Sequence, residues 1–211
     1  MNTSDTPATR VRNPRGDGAR LRDEIVDAAA TLLRSGPAES ITLRAVARTA
    51  GITAPSIYRH FDSVDAILRA VIERTFAELE ITLRDAAAQA TGADQVWNVS
   101  RAYFAFAQEH PEQYRLLFGG AWNAANLAPE QHVERREREN LGLETMQVLV
   151  DAIAAASADG SSTSTDAFAD AVALWVGLHG LATLRRATPL FPWPTDTERR
   201  LIETLARLTD A

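Results

Sequence analysis

Residues Ile41 to Phe61 read ITLRAVARTAGITAPSIYRHF, and this stretch decides the fold. It spells two short helices around a tight glycine turn, the arrangement that sets a helix into a groove of duplex DNA. Thr42 stands where an N-cap is needed, with Ile41 and Val46 spaced to clamp the helix entry between them. Gly51 ends that helix. Eleven residues after Thr42 the same grammar repeats: Thr53 caps a second helix, Ile52 and Ile57 bracket its start, and Pro55 sits in the first turn, where a missing N–H costs little. Ile57 and Phe61 form an inward i, i+4 pair. Ser56, Tyr58, Arg59 and His60 are left facing outward, and their hydroxyl, phenol, guanidinium and imidazole groups suit phosphate oxygens and base edges.

Working outward, Leu21, Ile25, Ala28, Leu32 and Leu33 mark one face of a preceding helix that Gly36-Pro37 ends. Ser63 caps a following helix with Asp65 favourably placed in its first turn. The succession of the helix at Leu21 to Ser35, TLRAVARTAG, APSIYRHF and SVDAILRAV resembles the N-terminal DNA-binding domain of the TetR family of bacterial transcription regulators. The match spans about residues 19 to 75, with Gly51, Tyr58, His60 and Phe61 at the family's spacing. The resemblance implies that Thr42, Arg44, Tyr58 and His60 contact the DNA backbone, while Thr53, Ala54, Pro55 and Ser56 face the major groove. Arg59 adds an outward cation on the same helix. One departure is Val64, where the family usually carries a Lys. A phosphate contact is missing there, which leaves more of the affinity to arginine.

Composition bounds the alternatives. A chain of 211 residues can bury a sizeable core as one or two domains. It has no cysteine, which removes disulfides, thiolate metal sites and Cys nucleophiles together. The start, MNTSDTPATRVRNPRGDGAR, lacks the apolar run of a signal peptide, so a cytoplasmic protein is expected. Residues 1 to 62 carry nine Arg against seven acids and the remainder thirteen against twenty-one, a basic head on a chain of net charge −6. A locally basic face is enough to steer DNA.

Residues 1 to 18 are polar and aperiodic and are read as a disordered basic arm, with Arg10, Arg12 and Arg15 leading to Arg20 and Arg22. Their arginines are either phosphate contacts or a solvated tail. A DNA-binding domain over 19 to 63 and a helical ligand-binding and dimerisation domain over 64 to 211 follow. A connector helix is expected from Ser63 to about Gln89, roughly 27 residues or about 40 Å. Further helices are expected after Gly92, over EQYRLLF up to Gly119-Gly120, from Pro129 to Ser157, from about Thr165 to Arg186, and from Thr195 or Asp196 to the C-terminus. The segment from Ala167 to Leu184 is apolar on every side except at Asp170, His179 and Thr183, so burial against both the core and a partner subunit is expected, rather than a membrane. Leu178 and Leu205 are placed on that subunit contact. The fold class is all-α, a helix-turn-helix three-helix unit followed by a helical bundle, about nine helices in all.

Trp175 and His179-Gly180, within ALWVGLHGLATL, resemble the WHG type of C-terminal domain found in a subset of TetR-like regulators, as does PEQYRLLF. That resemblance implies ligand sensing and dimerisation. Tyr103, Trp122, Trp175 and His179 are the candidate ligand contacts, orienting a small apolar molecule, with plain core packing as the alternative reading of the same aromatics. No phosphate loop, nucleophile elbow or metal-ligand spacing is present, and Asp170 and His179 are too far apart along one helix to form a catalytic pair. An all-α enzyme and a protein-binding adaptor are thereby the weaker alternatives. The expected protein is a homodimeric, ligand-responsive repressor that binds a palindromic operator, without cofactor or metal.

Overall fold

The computed structural model describes residues 18–118 and 142–209. The basic arm, Trp122 and the charged first half of the helix expected from Pro129 lie outside the described residues. Nine α-helices are found among those described: α1 (Gly18–Ser35), α2 (Leu43–Thr49), α3 (Ala54–Ile57), α4 (Val64–Ala87), α5 (Gly92–Glu109), α6 (Pro111–Phe118), α7 (Leu143–Ala158), α8 (Ala167–Ala187) and α9 (Thr197–Leu205). A 3-10 turn at Ala38–Ser40 joins α1 to α2. Among the described residues the one extended pairing is an isolated bridge between Ser162 and Leu208.

The helices start where the sequence supplies caps. The Thr42 hydroxyl accepts from the Ala45 N–H, and the Ser63 hydroxyl from that of Ala66. Each satisfies one of the orphan donors of a first turn, worth about 1 kcal/mol. Thr53 differs from expectation. Its hydroxyl pairs with that of Ser56 at 2.8 Å and caps no backbone N–H, and α3 keeps only four residues of regular helix.

Two apolar clusters form. The first gathers Ile25 and Leu33 of α1, Val46 of α2, Ile57, Phe61, and Ile67 to Ile72 of α4. The second gathers Leu79 and Leu83 of α4, Val96 to Ala107 of α5, Leu149 and Ile153 of α7, Leu174 and Leu178 of α8, and Ile202 of α9. α4 therefore runs through both. α6 is shared as well, since Leu116 is buried in the first cluster and Tyr114 in the second.

α8 is long and apolar enough to cross a membrane by composition, yet one side of it is core. Ala171, Leu174, Leu178 and Leu181 are buried, whereas Phe168, Val176 and Leu184 are each at least half exposed. This corrects the placement of Leu178 on a subunit contact: at 1% exposure it faces inward with Leu174 and Leu181, on the side of the helix opposite Val176. α9 packs closely on α8 because Gly177 has no side chain. A Cβ there would lie 2.6 Å from the Leu205 side chain. The end of the chain closes back on the same helix through Arg207, whose Nε donates to both Asp170 carboxylate oxygens at 2.9 Å.

Candidate DNA-reading face and ligand cavities

The turn between α2 and α3 depends on Gly51, whose φ of +66° is a left-handed conformation that suits glycine. Behind the turn, Ile57 is fully buried and Phe61 nearly so, which fixes the roll of α3. Arg22 of α1 lies over the Phe61 ring at 4.9 Å, so this arginine braces the reading unit. With the apolar side anchored, the outer side is determined. Thr42, Arg44, Thr53, Pro55, Tyr58 and Arg59 are exposed, and Ala54, Ser56 and His60 half-exposed. The polar groups of α2, α3 and their caps are thus left open to solvent, with Tyr58 at 58% exposure despite its aromatic ring. Such a surface can place a helix against base edges while its flanks hold phosphates.

A second site lies inside the helical bundle. A cavity of about 270 Å³ is walled by carbon, with Phe76, Leu79 and Leu83 of α4, Tyr103 of α5, Phe118 of α6 and Trp175 of α8 among its lining. A second cavity of about 380 Å³ has Phe118 in common with the first, and holds Tyr114, Arg115, His179, Thr183 and Arg186. The residues singled out from sequence are therefore divided. Tyr103 and Trp175 face the first cavity, His179 the second, and Trp122 lies outside the described residues.

A hydrogen-bonded chain joins the two. The Tyr103 and Tyr114 hydroxyls are 2.8 Å apart, and the Tyr114 hydroxyl is 2.7 Å from His179 Nδ1. Tyr114 is stacked on the His179 ring at 5.5 Å and edge-on to Phe118 at 5.0 Å. Burial shapes the protonation of all three. It pushes the Tyr103 phenol far up and that of Tyr114 up to about 12, and it lowers the His179 imidazole below its ordinary value. The chain is therefore neutral near pH 7. Tyr114 and Phe118 are where the sequence reading falls short. Both stand in PEQYRLLF, spaced i, i+4 on one face of α6, and that spacing is the signal that marks them as one wall.

Asp170 has a structural partner set. Burial alone would raise its carboxyl, but hydrogen bonds from Arg207 and Ser164 outweigh that and hold it below its ordinary value. Among the described residues no group of three His, Asp or Glu is arranged to hold a metal.

Residues 25–71 match the family model described as bacterial regulatory proteins of the tetR family, and residues 96–208 match that of the tetracyclin repressor-like C-terminal domain. The chain belongs to the TetR family. An uncharacterized HTH-type transcriptional regulator of Mycobacterium tuberculosis, Rv0681, is 33% identical over 103 residues, 47% of each chain. Another from the same species, the HTH-type transcriptional regulator Rv1816, is 26% identical over 160 residues, covering 74% of this chain and 66% of that one. The chain thus spans about half to two thirds of the length of these curated relatives. Among solved structures, a protein of unknown function from Rhodococcus sp. RHA1 superposes with a TM-score of 0.75 at 27% identity, over 94% of this chain and all of that one. This TetR-family member accordingly carries the family's helix-turn-helix domain, as do its relatives named HTH-type transcriptional regulators.

Proposed function

We propose that this regulator is a homodimeric, cytoplasmic repressor that a small apolar molecule releases from a palindromic operator. The observation that carries the reading is the double attachment of α6. Leu116 is 2% exposed within the DNA-reading cluster, Arg115 reaches Glu39 of the turn before α2 at 3.7 Å, and Phe118 walls both cavities. α4 makes the same connection through Phe76, which lines the cavity, and Ile67 to Ile72, which pack under α1. An occupant that displaces Phe118 or Phe76 therefore moves the reading unit. The domains follow this division: an arm over 1–18, the reader over 19–63, and the sensing and dimerisation part over 64–211.

On the reader, Thr42, Arg44, Tyr58 and His60 hold phosphates, Thr53, Ala54, Pro55 and Ser56 face the major groove, and Arg59 supplies a further cation. The dimer uses the outer stripe of α8 with α9. A two-fold axis there sets two recognition helices for half-sites about one duplex turn apart. A ligand that binds the DNA-incompetent state about 100-fold better supplies about 2.7 kcal/mol of coupling, and DNA weakens its binding by the same factor.

The test is a mobility-shift titration on a fragment flanking the protein's own gene. Tyr58→Phe with His60→Ala weakens binding to all sequences alike and flattens the salt dependence, as loss of phosphate contacts does. Ser56→Ala changes sequence preference instead. Unchanged affinity in the double variant overturns the contact assignment. Trp175→Ala, in a protein that still folds and binds DNA, loses the response to an apolar inducer; a full response moves the ligand elsewhere.

A further inference from the structure

The two cavities on either side of Phe118 differ in chemistry. The first is almost wholly carbon, whereas the second presents Arg115, Arg186, Thr183 and the His179 ring beside its apolar walls. The geometry points to the second cavity as the head-group site of the ligand whose body fills the first, which makes that ligand an amphiphile bearing one carboxylate. This rests on the ligand-released reading above.

The direction of the buried hydrogen-bond chain is the first argument. Tyr114 is the one hydrogen-bond partner of the Tyr103 hydroxyl among the described residues. Every hydroxyl proton then finds an acceptor in one arrangement: Tyr103 donates to Tyr114 at 2.8 Å and Tyr114 to His179 Nδ1 at 2.7 Å. Reversing it would leave the Tyr103 proton buried and unpaired, at a cost of about 1–3 kcal/mol. His179, kept neutral by burial, must then carry its proton on Nε2. That N–H makes no hydrogen bond among the described residues. The chain that starts at the apolar cavity thus ends as a donor at the other.

The second argument is charge. Arg115 and Arg186 share one carboxylate, Glu112, at 3.0 and 2.9 Å, and Arg186 also donates to the Pro111 carbonyl at 3.0 Å. Glu39, the other acid in reach of Arg115, is an exposed residue of the turn before α2 at 3.7 Å and does not line the cavity. Two guanidiniums offer ten N–H groups, far more than these acceptors take up. A carboxylate entering beside His179 Nε2–H and Arg186 finds charge-assisted donors already in place, while an alcohol of equal length finds no charge to meet.

Calorimetric titration of the full chain with octanoate and with octanol tests this. Octanoate binds at least about tenfold more tightly, the ratio expected for one charge-assisted hydrogen bond. Arg186→Gln, at a half-exposed position, removes the preference and leaves octanol binding as it was. Nitrogen-15 spectra of the free protein show His179 protonated on Nε2, and octanoate shifts that resonance. Equal binding of the two probes, or a proton on Nδ1, overturns the head-group site and leaves an apolar ligand standing. Binding of neither probe, by protein that still binds DNA, overturns both.

Discussion

The cluster around Ile25, Val46, Ile57 and Ile67 is built of apolar side chains, whereas the buried polar residues among those described gather in or beside the second cluster, from Ser100 to Asp170, with Thr75 of α4 at the border between the two. That second region also encloses both cavities, the tyrosine–histidine chain and the buried Ser100 hydroxyl, which has no partner among the described residues. Close apolar packing gives a block with one arrangement, suited to holding donors at fixed spacing against DNA. Vacant volume and polar groups that can re-pair give a region whose packing responds to an occupant. Under the proposed function the difference between the clusters is a division between reader and sensor, and α4 and α6 cross it.

The sharpest way to break this picture uses two positions of α8. Leu178→Arg buries an unpaired charge in the sensor core, at a cost of several kcal/mol, and unfolds that region. Val176→Arg, at a site 58% exposed, leaves the fold intact. Sedimentation then gives about 23.0 kDa for folded Val176→Arg and about twice that for the parent chain. A Val176→Arg dimer of unchanged stability would show that the outer stripe of α8 is no interface.

Next in size is Leu116→Ala, which removes the α6 side chain that sits in the reader's core. Loss of about 2–5 kcal/mol is expected, as for buried leucines generally. Hydrogen exchange locates the effect: amides of α1 and α2 lose protection although the substitution lies well outside the helix-turn-helix. Loss confined to α5 and α8 would mean that α6 belongs to the sensor alone, and its role as a link would fail.

How far the sequence could be read follows the same boundary. In the reader the decisive signals are local. Thr42, Gly51, Ser63 and the Ile57–Phe61 pair each act within about one turn of helix, so spacing alone places them. The exception is Thr53, whose hydroxyl has two nearby partners and takes Ser56 over the backbone. In the sensor the signals are long-range. His179 meets Tyr114 across 65 residues and Asp170 meets Arg207 across 37, separations that helical periodicity does not encode. Periodicity marks α8 as apolar all round, but which side meets the core depends on where α5 and α9 lie. That is why Leu178 is misassigned from sequence and the two cavities are read as one.

The smallest expected effect concerns pH, and it separates the regions by one group. His179 has its pKa lowered by burial, so on acidification the unfolded chain takes up the proton first. The neutral ring's contribution to stability is fully present above the ordinary histidine value of about 6.5 and is lost as pH falls through the lower folded value. Tyr114, pushed up to about 12, keeps its proton throughout this window, so the hydrogen-bond chain is disturbed from the histidine end alone. Asp170, whose pKa is also lowered, loses its contribution only further down, as pH falls below the ordinary carboxylate range. Thermal melts between about pH 8 and about pH 5 therefore show a shallow decline that His179→Gln abolishes, with Asp170 still paired to Arg207. Protonation also converts Nδ1 from acceptor to donor and turns the Tyr114 hydroxyl away, so the decline is accompanied by increased exchange in α5 and α6 but not in α2. A decline of equal slope in His179→Gln would place the titrating group elsewhere and leave the chain as inert packing.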